Sequence, residues 1–101
     1  MQYPPEVAPR FLEGGRVHRV VDCSEGGFRY VPADAVLPAI GSMVSGVLEF
    51  RDETTLEVAG AVVRIQAGEV AVHCAERPIP LGVVMREQRL LLARYPFRGT
   101  S

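Results

Sequence analysis

The chain has 101 residues, of which 48% are hydrophobic and 23% charged, and its formal net charge is -1. This size and balance are typical of one soluble globular domain with a single core of modest size. They exclude an overall basic field for nucleic acid, and no apolar run reaches the ~20 residues of a transmembrane helix. No signal-peptide pattern follows Met1, so we expect a cytoplasmic protein.

The chain begins with an extended N-terminal arm. Residues 1–9 contain three prolines, which lack an amide donor and disfavour helix in the residue before them. Beyond the arm, turn signals such as Gly14-Gly15 separate short apolar and β-branched runs, which is the pattern of antiparallel hairpins. The predicted strands are residues 10–13, 16–23, 28–31, 42–50, 56–66 and 69–74.

The spacing of the apolar residues changes near residue 81 and predicts a helix over residues 81–95. Charged residues such as Arg86, Glu87 and Arg89 lie away from the apolar side of this helix, and Pro96 ends it. The predicted apolar side consists of Leu81, Val84, Met85, Leu91, Leu92 and Tyr95.

Six short antiparallel strands followed by one helix close most simply into a small barrel. We therefore predict a mostly β fold: a six-stranded antiparallel β-barrel with a C-terminal α-helix, spanning residues 10–96, with a tail at 97–101. Cys23 and Cys74 lie in apolar strand-like contexts, which favours buried free thiols over a disulfide or metal site.

The segment "RVVDCSEGGFRYVP", residues 19–32, contains the most informative pattern. Side chains alternate along a strand, so one face of the preceding strand carries Arg16, His18, Val20 and Asp22, and the other carries Val17, Val21 and Cys23. The second face is the better core face. We therefore expect Asp22 to point outward, with Ser24 after it and with the bare backbone of Gly26 and Gly27 beside them.

Two interpretations of this corner follow from its chemistry. Asp, Ser and Gly are the ordinary residues of tight turns, where their side chains bond local backbone. Together they also form a surface for a ligand: the carboxylate accepts hydrogen bonds from ring N–H groups, and the hydroxyl and the amides donate to phosphate oxygens. The residue types alone favour the turn.

The hexapeptide Asp22 to Gly27 resembles the Asp-x-Ser-x-x-Gly signature of PilZ domains at Asp22, Ser24 and Gly27. It lies just after the second predicted strand, where PilZ domains carry it. The segments "VAGAVVRI", "VAVHC" and "REQRLLLARYP" are similar to the fifth strand, the sixth strand and the C-terminal helix of that family. The resemblance covers about residues 9–96.

The resemblance implies a non-enzymatic bacterial receptor for the second messenger cyclic di-GMP, with no cofactor. It implies ligand contacts at Asp22, Ser24, Gly26 and Gly27. The family's second motif, Arg-x-x-x-Arg before the first strand, is incomplete, since only Arg10 lies there and Gly14 takes the partner position. Arg16 is the first candidate to replace the missing arginine, followed by Arg19 and Arg29.

Two functions from different classes follow. The first is a cyclic di-GMP sensor in which the N-terminal arm, with Arg10, folds over the ligand and changes the surface offered to an effector protein. The second is a degenerate PilZ-like adaptor that binds proteins and no nucleotide; a second subunit is a candidate partner for its helix. An enzyme is not expected, because no nucleophile and base and no metal cluster occur at useful spacing.

Overall fold

The structure is a computed structural model that describes residues 2–94. Within this range the chain forms six β-strands and one α-helix, and a short 3-10 helix, Pro5–Val7, precedes them. The strands are β1 (Arg10–Glu13), β2 (Arg16–Ser24), β3 (Gly27–Val31), β4 (Met43–Glu49), β5 (Thr55–Gln66) and β6 (Glu69–His73), and the helix is α1 (Leu81–Arg94).

The strands close into an antiparallel barrel in the order β1-β2-β3-β6-β5-β4. The tight connection between β1 and β2 depends on Gly14 and Gly15, whose φ angles of 53° and 80° suit residues without a Cβ atom. Strand β1 then closes the barrel by pairing with β4 on its other side. The predicted six-stranded barrel with a C-terminal helix is confirmed.

The core is built around an aromatic cluster from β1 and β3. Phe11 lies 4.8 Å from Phe28 and 5.1 Å from Tyr30, measured between ring centroids, in edge-on and tilted arrangements. Such geometry satisfies the quadrupoles of the rings while it removes a large apolar area from water. Cys23 and Cys74 are buried free thiols, as predicted.

A β-bulge in β2 changes which side chains face the core. Val20 pairs with Tyr30 and Asp22 pairs with Arg29, so Val21 is an extra residue without a partner in β3. The bulge shifts the alternation by one residue. His18 and Val20 are therefore buried and Val17 is exposed, which makes their predicted orientations wrong, whereas Cys23 points inward and Ser24 outward as predicted.

The N-terminal segment is bound to the barrel. Gln2 bridges Asp22, and the Tyr3 amide donates a hydrogen bond to the carbonyl of the bulged Val21 at 3.0 Å. Tyr3, Val7 and other residues of the segment are buried. The predicted extended arm contains the short 3-10 helix Pro5–Val7, and it lies on the barrel because it satisfies the carbonyl that the bulge leaves unpaired.

Helix α1 packs on the barrel through a face that includes Val84 and Leu91 of the predicted apolar side but not the whole of that side. Val84 and Glu87 are buried, and Val83 and Leu91 pack against the core. Of the predicted apolar face, Leu81, Met85 and Leu92 are about half exposed. Tyr95, Pro96 and the tail lie outside the described residues.

Candidate functional site

The outward side chain of Asp22 lies in a row that crosses four strands of the barrel. Asp22 in β2 pairs with Arg29 in β3, Arg29 pairs with Ala71 in β6, and Ala71 pairs with Arg64 in β5. We call these four residues the Asp22 row. Because paired residues in neighbouring strands point to the same face, the row presents a carboxylate, a guanidinium, a methyl group and a second guanidinium in that order.

An open depression of about 470 Å³ lies over this row. Its walls come from β2, β3, β5, β6 and the β2–β3 turn. We call it the Asp22 depression. Its polar side chains are Asp22, Ser24, Arg29, Arg64 and His73.

Arg29 holds the carboxylate of Asp22 in place. Its Nη2 and Nε atoms donate to Asp22 Oδ2 at 2.7 and 3.1 Å, and its Nη1 atom donates to Glu69 Oε1 at 3.2 Å. The guanidinium and both carboxylates are half-buried, so these charge-assisted bonds are less screened than a fully exposed pair. Asp22 is therefore oriented before any ligand arrives, and the positive charge of Arg29 is balanced by two acids.

The β2–β3 turn has the features of both interpretations of the corner. Ser24 Oγ donates a long hydrogen bond of 3.5 Å to the Gly27 carbonyl, as an ordinary turn serine does. Gly26 is exposed, and its carbonyl accepts a hydrogen bond from the Cys74 amide at 2.8 Å. Ser24 and Gly26 both remain on the open side of the depression.

Gly27 has a structural role that its sequence context does not reveal. It is buried, which differs from the expected bare and open backbone, because β6 passes directly over it. A Cβ atom at this position would lie 1.9 Å from the Val72 carbonyl oxygen, far inside van der Waals contact. The last glycine of the motif therefore permits the close pairing of β3 with β6.

The two arginines named first as ligand contacts lie elsewhere. Arg16 begins β2, so it is roughly 20 Å along the strand from Asp22, and it is bonded to Asp34 and Glu13. Its hydrogen bond to Asp34 lowers the pKa of that carboxyl. Arg10 pairs with Glu49 in β4 and does not line the Asp22 depression. Neither is brought together with Asp22 and Ser24.

Cys23 lies between two residues of the depression but points into the core. Burial, reinforced by the nearby carboxylates of Glu87 and Asp22, raises the pKa of its thiol to about 12. A thiol in this state is protonated at neutral pH and is a poor nucleophile or metal ligand. Its contribution is packing, as the sequence predicts.

The two histidines have different positions. His18 is buried, and its Nδ1 atom accepts from the Ala33 amide at 3.0 Å, which places the ring proton on Nε2, 3.1 Å from Glu13 Oε1. His73 is exposed at the rim of the Asp22 depression. Among residues 2–94, no cluster of three His, Cys, Asp or Glu side chains is placed to hold a metal ion.

Sequence reasoning missed Arg64 and Ala71 as neighbours of Asp22. They lie 42 and 49 residues after it in the sequence, and only the barrel order β2-β3-β6-β5 brings them into one row. The bulge between Val62 and Arg64 also changes the face on which Arg64 lies. The one available signal was the alternation in "VAVHC", which places Ala71 on the outer face of its strand.

No protein-family model, curated protein or solved structure matches this chain. Within the described part of the chain, no helix combines the length and the hydropathy that a membrane crossing requires.

Proposed function

We propose that this protein is a non-enzymatic receptor for cyclic di-GMP that relays the level of this second messenger to a partner protein. The observation that supports the proposal most directly is the outward placement of Asp22 and Ser24 at one open depression. The Asp-x-Ser-x-x-Gly resemblance and the barrel-plus-helix fold support it further.

The chemistry of the depression suits a guanine nucleotide. The carboxylate of Asp22, oriented by Arg29, accepts from the ring and exocyclic N–H groups of guanine. The Ser24 hydroxyl is exposed beside it, and its single hydrogen can turn from the long bond to the Gly27 carbonyl to a phosphate oxygen. The flat guanidinium faces of the Asp22 row are suited to stacking on a base.

A relay to the partner begins at the N-terminal segment. The backbone of Gln2 forms a β-bridge with the backbone of Asp22, and the next residue, Tyr3, donates a hydrogen bond from its hydroxyl to Glu87 Oε1 of α1 at 3.0 Å. A ligand at Asp22 that shifts this backbone pairing thereby disturbs the contact between the segment and α1. The surface around α1 is then the part of the molecule that changes with ligand occupancy.

The test is an isothermal titration of the purified protein with cyclic di-GMP. We expect micromolar-range binding that Asp22→Ala abolishes. Asp22→Asn, which keeps the shape of the side chain but loses the acceptor oxygen and the charge, should weaken binding strongly. Asp34→Asn, an exposed acid that does not line the depression, is the matched control and should bind like wild type. Heats equal to those of buffer at high protein concentration reject the proposal.

The alternative function is a PilZ-like adaptor that binds proteins and no nucleotide. It is favoured by the side of α1 that the barrel leaves uncovered, where Leu81, Met85 and Leu92 are each about half exposed. Exposed apolar residues grouped on one helix are typical of protein contacts. A partner retained on the immobilised protein should then stay bound in the presence of cyclic di-GMP and after Asp22→Ala; release in either case contradicts the adaptor.

A further inference from the structure

The two arginines of the Asp22 depression differ in how far nearby carboxylates balance their positive charge. Arg29 is bonded to Asp22 and Glu69, so it has two carboxylates for one positive charge. Arg64 is exposed, and no hydrogen bond or ion pair joins its side chain to another residue in the range 2–94. The positive charge available to an anionic ligand is therefore that of Arg64.

The position of Arg64 opposite Asp22 is set by the barrel. Ala71 separates Arg64 from Arg29 in the row, and its methyl group is the smallest side chain that a strand residue other than glycine can present. With strands ~4.8 Å apart, the Cα atoms of Arg29 and Arg64 lie roughly 10 Å from each other across this low point. The row thus has the Asp22 carboxylate with its bound Arg29 guanidinium at one end, the Arg64 guanidinium at the other, and the low Ala71 methyl group between the two arginines.

We propose that Arg64 is the phosphate-binding arginine of this protein and that Ala71 is the floor on which the ligand backbone lies; this assignment rests on the proposed receptor function. A guanine held by Asp22 extends its phosphodiester along the row toward Arg64. The guanidinium fork is suited to bidentate contact with phosphate oxygens. Arg64 thereby fills the role left vacant because Arg10 is paired with Glu49 and position 14 is glycine.

The experiment compares cyclic di-GMP titrations of wild type, Arg64→Gln and Arg64→Lys. We expect Arg64→Gln to lose about tenfold or more in affinity, the loss typical of one charge-assisted contact. Arg64→Lys keeps the charge but not the planar guanidinium fork, so its affinity should lie between those of wild type and Arg64→Gln. The affinity of wild type should drop more steeply with added salt than that of Arg64→Gln, because the latter lacks the charge that salt screens.

Two further variants separate this role from a structural one. Ala71→Leu raises the floor without changing charge and should weaken binding at least as much as Arg64→Gln. Arg89→Gln removes an exposed arginine of α1, away from the depression, and should bind within twofold of wild type. If wild type binds and Arg64→Gln binds equally well, the assignment of Arg64 is overturned while the receptor function stands.

A wild-type protein that gives no heat with cyclic di-GMP instead rejects the receptor function. The Arg64 site is then judged by NMR titration with inorganic pyrophosphate, observed at the arginine Nε–Hε signals. A shift of the Arg64 signal that is absent for Arg89 supports an anion site at Arg64. Equal or absent shifts at both arginines overturn it.

Discussion

The carboxyl groups of Asp22 and Glu87 are held by the protein in contrasting ways. Asp22 faces the open depression, where Arg29 donates two hydrogen bonds to one of its oxygens. Glu87 is buried under α1, and its partner is the neutral hydroxyl of Tyr3. Burial raises the pKa of Glu87, against the opposing effects of the Tyr3 hydrogen bond and the Arg86 charge.

The contrast teaches that the two sides of the molecule are suited to different tasks. A carboxylate that a guanidinium holds in place at an open depression has its oxygens oriented toward polar ligands. The Glu87 carboxyl group lies at a groove of about 470 Å³ whose lining is mostly apolar, as with Val7 and Leu91, and also includes Arg51 and Asp52. Burial there favours the neutral form of the carboxyl group. The N-terminal segment touches both, through Gln2 and Tyr3, and is the covalent connection between them.

The largest effect is expected at the turn beneath the depression. Gly27→Ala places a Cβ atom 1.9 Å from the Val72 carbonyl and must separate β3 from β6, at a cost of more than ~3 kcal/mol. Chemical denaturation measures the loss. The neighbouring Gly26→Ala is the matched control, since its Cβ comes no closer than 3.8 Å to another group. Equal stability of the two variants would contradict the close pairing at Gly27.

A smaller effect is expected on the buried side. Tyr3→Phe removes the donor to Glu87 and leaves a buried carboxyl without that bond, which we expect to cost ~1–2 kcal/mol in urea denaturation. Tyr30→Phe is the same chemical change in the core, but no hydrogen bond joins the Tyr30 hydroxyl to another residue of the described chain. It should be close to neutral. If both variants lose the same amount of stability, the Tyr3–Glu87 hydrogen bond does not hold the N-terminal segment on the barrel.

The smallest effect depends on pH. Because the pKa of Glu87 is raised in the folded protein, the folded state binds its proton more tightly. The resulting stabilisation is fully present below the ordinary carboxyl pKa and is lost as pH rises through the folded value. Glu87→Gln should therefore raise stability near neutral pH by up to ~1 kcal/mol, and the gain should vanish in acid.

Denaturation curves across this pH range check the expectation. Glu76→Gln, an exposed acid in the loop before α1, should leave the pH dependence of wild type unchanged. A Glu87→Gln protein whose stability parallels that of wild type at every pH would show that burial does not affect this carboxyl group.

The barrel follows from local signals, and the site follows from them only in part. Alternating apolar residues and Gly14-Gly15 predict strands and a hairpin because their physics acts within a few residues. The bulge at Val21 does not follow from such a signal, since the carbonyl it leaves unpaired is satisfied by Tyr3, from a distant part of the chain. For that reason the predicted outward orientations of His18 and Val20 were wrong.

The helix and the arginines illustrate the same limit. Glu87 has the polarity of an exposed residue, and the hydrogen bond from Tyr3, together with the charge of Arg86, partly offsets the cost of its burial. Arg64 joins Asp22 through pairings of β3, β6 and β5 that no local pattern encodes. Arg16 is close to Asp22 in sequence, yet an extended strand carries it away. The outward orientation of Ser24 at this corner follows from the local sequence, whereas the residues that lie beside it depend on long-range strand pairing.

The closed barrel limits how this protein can be recognised. Each of the six described strands has a hydrogen-bonded neighbour on both sides, so within residues 2–94 the sheet has no edge strand with one side wholly open to an incoming strand. An effector of the proposed receptor is therefore expected to bind mainly through side chains and not by adding a strand to the sheet. Specificity toward that effector would then change with single outward-facing residues while the scaffold stays intact.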